Sequence, residues 1–387
     1  MEFDALLTEG VKRGASDIHL KPGTHPILRI QGALIPQKDL PLLTKEDTEA
    51  AAVDLLGEFR YAELRDGKEA DFAYFVAGVG RFRVNLFMAN GDIRGVLRAI
   101  PSRIPSFEEL LVPKVVLENL AVERRGMLLV TGITGSGKTT TLAAMIDFMN
   151  RHRNDHIVTI EDPIEFLHED GNCVISQREV GQDTFNFAQA LRAALRQDPD
   201  VIFVGEMRDA ETMSIALQAA ETGHLVMSTL HTLNATETVN RIIATFPPNQ
   251  ETQIRDQLAA VIRGIISQRL VVKADGKGRV PAVEIMLGSA LIRDSIRDAA
   301  KTPEIPAVIA ASAAQYGMQT FDQSVLALYR QGLITYETAR ETASSPEDFD
   351  LKVKGILSAA EMTWEPQKEE AGGASKKPSG AFFKKQS

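Results

Sequence analysis

Short apolar runs alternate with longer amphipathic stretches over the middle of this chain. Strand-like runs fall at Met127–Thr131, Ile157–Ile160, Val201–Val204 and Leu225–Thr229, with helical spacing between them. Apolar strands separated by helices predict a mostly parallel sheet covered by helices. The first hundred residues have a different texture. Glu2–Arg13 has helical spacing, Asp17–Leu20 and Ile27–Ile30 alternate as strands do, and Gly23 and Gly32 mark turns. Thr44–Leu56 reads as a helix that Thr44 caps, with Asp47 three residues on as the reciprocal partner. Phe72–Val76, Arg81–Phe87 and Ile93–Ile100 predict an antiparallel meander. The expected organisation is a small N-terminal α/β domain over 1–100 and a linker over 101–114, punctuated by Pro101 and Pro105. An α/β core over 115–287 and a helical part over 288–362 follow. Residues 363–387 read as a disordered tail, because from 366 on the chain has no large aliphatic side chain.

Composition narrows the function classes. Among 387 residues, 43 basic against 52 acidic side chains leave a net charge of −9, which argues against a nucleic-acid coat while permitting a local basic patch. The single cysteine, Cys173, excludes an intrachain disulfide and a multi-cysteine zinc site, and reads as a small packed or half-exposed thiol in a reducing compartment. The N-terminal MEFDALLTEG is acidic and has no apolar signal core, and no run approaches the roughly 18 apolar residues of a membrane span. A cytoplasmic protein is expected, one that another protein recruits if it works at a membrane.

The sharpest chemical signal is Gly132-Ile-Thr-Gly-Ser-Gly-Lys138-Thr139, a G-x-x-x-x-G-K-[ST] phosphate loop between a strand and a helix. Gly135 and Gly137 allow torsions and a close approach that a Cβ would block. Backbone N–H groups and the helix N-terminus hold phosphates in such loops. Gly132, Thr134, Gly135, Ser136, Gly137, Lys138, Thr139 and Thr140 are therefore the candidate nucleotide-binding residues. Lys138 would neutralise the β- and γ-phosphates, and Thr139 would give its hydroxyl to Mg²⁺. No guanine-reading N-K-x-D motif is present, so the loop alone leaves the base open.

Two acidic strand ends follow the loop. Ile157–Ile160 runs into Glu161-Asp-Pro-Ile-Glu165, and Val201–Val204 runs into Gly205-Glu206. Carboxylates at the C-terminal ends of strands in an open α/β sheet face its ligand crevice. Glu206 is a candidate metal ligand and Glu165 a candidate for orienting or deprotonating water, and spacing does not decide which acid is the base. His224 and His231 flank the run Leu225–Thr229 and are candidates to read a γ-phosphate, with simple packing as the alternative.

Together, Gly132–Thr140, Thr159–Glu169, Gln177–Asp183, Leu191–Met207 and Thr222–Thr232 resemble the secretion ATPases of type II and type IV systems, in particular the type IV pilus retraction motors. The resemblance covers residues 1–362. It implies a PAS-like N-terminal domain, a RecA-like ATPase core, adenine as the base, and a homohexamer. It also implies an active-site set of Lys138, Thr139, Glu165, Glu206, His224 and His231. Assembly and secretion motors of the superfamily usually carry a tetracysteine zinc site, which one cysteine cannot build. Ala290–Asp298 keeps the two arginines and final acid of a retraction motif near A-I-R-N-L-I-R-E but replaces its Asn-Leu pair. GIISQRL at Gly264–Leu270 favours the principal retraction motor, whereas QTFDQ at Gln319–Gln323 and the long tail lean towards its accessory paralogue.

The N-terminal region gains a role from that resemblance. In a ring, an arginine of one subunit can complete its neighbour's site, and the resemblance favours Arg83 and Arg98 in that role, with solvated strand faces as the alternative. Arg192 and Arg196, one helical turn apart, are weaker candidates, with Asp198 as a possible partner. The expected activity is Mg²⁺-dependent ATP hydrolysis by a hexameric motor that drives pilus retraction. Its partners would be an inner-membrane platform protein, the pilus machinery and a paralogous ATPase. An assembly motor, a nucleic-acid motor and a non-catalytic nucleotide-binding scaffold are the rival readings.

Overall fold

The computed structural model describes residues 3–30, 32–67, 69–100 and 103–355. The tail expected over 363–387, the end of the helical part beyond 355, and Pro101 and Ser102 of the linker lie outside the described residues.

Six strands build the first sheet: β1 (Ala15–Leu20), β2 (Ile27–Ile30), β3 (Ala33–Pro36), β4 (Ala70–Val76), β5 (Gly80–Ala89) and β6 (Asp92–Ala99). Their order is β3-β2-β1-β6-β5-β4, and every pairing is antiparallel. Alternation dictates which face is buried. Ile18, Leu28, Phe82, Val84 and Leu97 form one core with Leu6 and Leu7 of the helix Phe3–Lys12 and Ala52 of the helix Lys45–Arg65. The predicted capping box is present, since Thr44 Oγ1 accepts from the Asp47 N–H and Asp47 accepts from the Thr44 N–H. The helical stretch Lys45–Arg65 is broken at Gly57, whose φ of 70° and ψ of 162° are not helical, so the first helix ends at Leu56 as the sequence predicts and a second runs on to Arg65. The other face of the sheet carries charge. Arg29, Asp17, Arg98 and Arg83 oppose one another in register across β2, β1, β6 and β5.

The second sheet has seven strands: β7 (Gly126–Thr131), β8 (His156–Glu161), β9 (Val174–Glu179), β10 (Val201–Val204), β11 (Leu225–Leu230), β12 (Ile262–Val272) and β13 (Arg279–Leu287). The order is β13-β12-β7-β11-β10-β8-β9. All neighbours are parallel except the β12–β13 pair. The four central strands are the four apolar runs read from the sequence. β7, β10 and β11 are buried throughout, as strands covered on both faces must be. One face packs on the helices Phe187–Ala194, Ala210–Glu221, Ala235–Ala244 and Glu251–Val261, the other on Lys114–Ala121 and Lys138–His152.

After β13 the chain is helical, as expected. Ile292, Ile296, Ile305 and Ile309 join the larger core, whereas Phe321, Val325 and Phe349 close over Val271, Val280 and Ala282 at the β12–β13 hairpin. Cys173 is buried, and its thiol lies against the Met149 and Arg153 carbonyls.

Candidate active site

The parallel strands bring their C-terminal ends to one edge of the second sheet, and the chemistry-bearing residues gather there. β7 delivers the phosphate loop into the helix Lys138–His152. Gly132, Gly135 and Gly137 have φ of 146°, 77° and 92°, which side chains rarely adopt. A Cβ on Gly132 would lie 2.4 Å from the Gln268 carbonyl oxygen and 2.5 Å from Ser136 Oγ. Beneath the loop, Thr131 Oγ1 donates to Ser267 Oγ at 2.9 Å, and Gln268 Nε2 donates to Thr141 Oγ1 at 2.9 Å. Strand β12 thus braces both ends of the loop.

Lys138 is buried, and its ammonium donates to the Gly132 and Ile133 carbonyls at 2.9 and 3.1 Å. Burial pushes its pKa down, and the charges of Glu206 and Glu165 oppose that shift. Both sequence-predicted carboxylates therefore act on the loop lysine through their charge. Ser136 Oγ is buried with no hydrogen-bond partner among the described residues. A triphosphate fits this arrangement: a cradle only glycine allows, an idle buried hydroxyl, and a cation held over the loop's own carbonyls.

Glu206 is placed by its strand end. Gly205 donates to the Ile160 carbonyl at 2.7 Å, and a Cβ there would meet that oxygen at 3.2 Å and Glu161 Cα at 3.4 Å. Thr229 Oγ1 donates to the Gly205 carbonyl at 2.7 Å, which fixes the backbone immediately before Glu206. The Glu206 carboxylate meets Arg208 Nε at 2.7 Å and His231 Nε2 at 3.5 Å, on the same oxygen. Arg208 was not among the residues singled out from the sequence. Its signal was its position two residues past the acid, on the same turn.

Glu165 is exposed, on a turn beyond β8. Behind it lies Glu161, 5% exposed, which accepts from Thr159 Oγ1 at 2.7 Å and Gln177 Nε2 at 3.2 Å. Burial raises the Glu161 pKa to about 7 against the pull of those hydrogen bonds. Glu161 belongs to the acidic cluster read from the sequence, in which Glu165 is the acid expected to act on water. Only burial distinguishes the two, and a single sequence does not display it.

The histidines separate. His231 stands at the C-terminal end of β11, beside Glu206. Its segment is held by the Asn234-capped helix, where Glu284 accepts from the Ala235 N–H at 2.7 Å and Thr232 pairs with Thr238. His224 precedes β11 at the opposite edge and lies against the Ala219 carbonyl through Nδ1 at 2.9 Å. Six strand residues at about 3.3 Å each put it some 20 Å from the loop, so the chain does not bring it into its own site.

Arg83 and Arg98 oppose each other across β5 and β6, with ion-pair partners in their own sheet. Arg83 meets Asp71 at 3.7 Å and Arg98 meets Asp17 at 2.9 Å. Arg192 pairs with Glu211 at 2.6 Å rather than with Asp198, and Arg196 is exposed. Asp198 instead takes a left-handed turn, φ 54°, and its carbonyl lies 3.2 Å from His156 Nδ1.

The family described as type II/IV secretion system protein matches residues 2–303. The chain is 45% identical over 349 residues to the type IV pilus retraction ATPase PilT of Pseudomonas aeruginosa, covering 90% of this chain and all of that protein. It is 41% identical over 354 residues to the type IV pilus ATPase PilU of the same organism, covering 92% of each. A crystal structure of the pilus retraction motor PilT with bound ADP superposes with a TM-score of 0.83 at 46% identity, over 90% of this chain and 98% of that one.

Proposed function

We propose that this chain, which belongs to the type II/IV secretion system protein family, is an ATP-hydrolysing motor that drives type IV pilus retraction. The observation that carries the site reading is the loop itself, a cradle in which Gly132 has no room for a Cβ and the buried Lys138 ammonium lies on the Gly132 and Ile133 carbonyls. Gly132, Thr134, Gly135, Ser136, Gly137, Thr139 and Thr140 cradle the triphosphate, and Lys138 turns from the loop carbonyls to the β- and γ-oxygens. Thr139 and Glu206 are the residues that would hold Mg²⁺, which when bound neutralises charge on those oxygens. Glu165, exposed beyond β8, takes the role of orienting and deprotonating the attacking water. His231 and Arg208 hold the Glu206 carboxylate in place. His224 braces the turn before β11.

The chain acts as a homohexamer in which Arg83 and Arg98 of one subunit reach the phosphates of the next. Cycles of binding and hydrolysis move the N-terminal sheet relative to the ATPase core, and an inner-membrane platform protein of the pilus machinery receives that motion. The chain works at the cytoplasmic face, recruited by that protein; no helix among the described residues is long and apolar enough to cross a membrane. Nucleic acid is not a partner on this reading, in keeping with the net charge of −9. The 41% identity to PilU supports a second reading, an accessory retraction ATPase acting beside a paralogue.

The test is complementation of a strain that lacks its retraction motor. The parent chain restores retraction and Lys138→Ala does not. Restoration only when a paralogous motor is co-expressed favours the accessory reading. Parent protein without ATPase activity overturns both.

A further inference from the structure

We propose that Arg81 and Glu179 form a joint through which the position of β5 sets the position of the Glu165 turn, making both positioning residues for hydrolysis. The inference rests on the reading of Glu165 and Arg83 given above.

Arg81 lies on β5, two residues before Arg83 and on the same face. Its guanidinium leaves the first sheet and forms an ion pair with Glu179 at the end of β9 in the second. The side chains are 16% and 4% exposed, and the residues stand 98 apart in sequence. The same Glu179 oxygen that Arg81 holds also accepts from the Ile164 N–H at 3.2 Å. Ile164 is the residue immediately before Glu165. The other Glu179 oxygen accepts from Gln182 Nε2 at 2.7 Å, and the Val180 N–H donates to the Glu161 carbonyl at 2.8 Å. One carboxylate oxygen therefore joins the N-terminal sheet to the backbone that carries a proposed catalytic group.

The arrangement suits a moving joint. β9 is an edge strand paired with β8 alone, so its end is less constrained than the central strands. Arg81 contributes a single nitrogen, Nη2, and its Nε is buried without a partner among the described residues. A one-point contact can pivot where a two-point fork fixes orientation. Both charges are nevertheless removed from water, so separating them is unfavourable and the two elements move together. Arg81 and Arg83 sit on one strand, the first holding its own chain's Glu165 turn and the second facing outward. An anion drawn to Arg83 shifts β5, and the shift reaches Glu165 through Arg81 and Glu179. Coupling of this kind is reciprocal, so occupancy of the chain's own site also biases how Arg83 is presented.

The test uses full-length protein, steady-state ATPase kinetics and thermal melting. Arg81→Met keeps the apolar stem and removes the charge, whereas Glu179→Gln keeps the shape and an acceptor for Ile164. Each should lower kcat about tenfold and leave the KM for ATP within about twofold. Their combination should be no slower than either alone, because both break one contact. Arg81→Lys should recover most of the rate. A brace without this role would lower the melting temperature and leave kcat per folded molecule unchanged, and that result overturns the proposal. Losses that multiply in the double variant also overturn it. Glu165→Gln is measured alongside. If it is slow while Arg81→Met is not, the joint alone is wrong. If it runs at the parent rate, the reading of Glu165 fails and the joint's role in hydrolysis falls with it.

Discussion

Lys138 concentrates several opposing forces. Its ammonium is buried, which disfavours the charge and lowers its pKa, the charges of Glu206 and Glu165 oppose that shift, and two loop carbonyls accept its hydrogen bonds. Lys138→Ala removes the cation from the loop and only the stem of one side chain from the packing, so the fold should survive while ATP binding weakens and hydrolysis is abolished. Nucleotide-binding titration and a turnover assay check this together. Glu165→Gln and Glu206→Gln should both keep ATP binding and lower kcat, by about 10²–10⁴-fold for whichever acts as the acid–base group. Glu161 offers a test of a different kind, because its folded-state pKa is raised to about 7 from an ordinary 4.5. The folded chain then binds this proton more tightly than the unfolded chain does. Stability from this group is fully present below pH 4.5, declines as pH rises through 7, and is constant above that. The ionised form costs on the order of 3 kcal/mol at pH 8. Glu161→Gln should therefore gain in melting temperature relative to the parent as pH rises from 5 to 8. Parallel melting curves across that range would remove the argument.

At the scale of elements, the central sheet was legible and its edges were not. β7 and β10 are almost wholly apolar and β8 and β11 carry apolar cores at Ile157–Ile160 and Leu225–Met227, because both faces of these strands are covered, and such runs announce themselves. β9 reads Val-Ile-Ser-Gln-Arg-Glu, two-thirds polar, because it is an edge strand whose side chains serve Glu161 and the Glu165 loop. β12 follows a helix with only a one-residue change of backbone at Ile262, and no Gly or Pro marks the join. β3 is exposed along its whole length and carries no burial pattern to read. The same division runs through the site. The phosphate loop and Glu206 follow from motif and strand end. The partners of Glu206, and the opposite placement of His224, depend on which strand end each residue occupies. Gly132 tests the link between elements. Its Cβ position is filled by the Gln268 carbonyl of β12, and its φ of 146° disfavours a side chain. Gly132→Ala should destabilise the fold by about 1–3 kcal/mol and also weaken ATP binding, read by denaturant melts and titration. Full stability in that variant would mean that β12 yields.

At the scale of the whole molecule, Arg83 and Arg98 stand on the charged face of the N-terminal sheet, each paired with an acid of that sheet. Arg83 and Arg98 stand directly opposite on neighbouring strands, an unfavourable pairing of like charges that Asp71 and Asp17 offset. An anion from outside the sheet would relieve it better, and the phosphates of an adjacent subunit in a ring are the proposed source. If the arginines only brace their own sheet, Arg83→Ala should lower stability and leave activity per folded molecule unchanged. If they complete a neighbour's site, Arg83→Ala should fold, bind ATP and hydrolyse slowly. Arginine fingers contribute about 10³–10⁵-fold in related phosphoryl transfers, and two arginines sharing the task would each show less. Mixing decides between these. An Arg83→Ala chain has a sound phosphate loop and lacks the finger, whereas a Lys138→Ala chain has the finger and a dead loop. Mixed rings contain interfaces that combine the intact half of each. Their activity should exceed the sum of the two separate proteins, rising and falling with the fraction of mixed interfaces. Rings verified as mixed that show no such recovery would return both arginines to a role within their own chain.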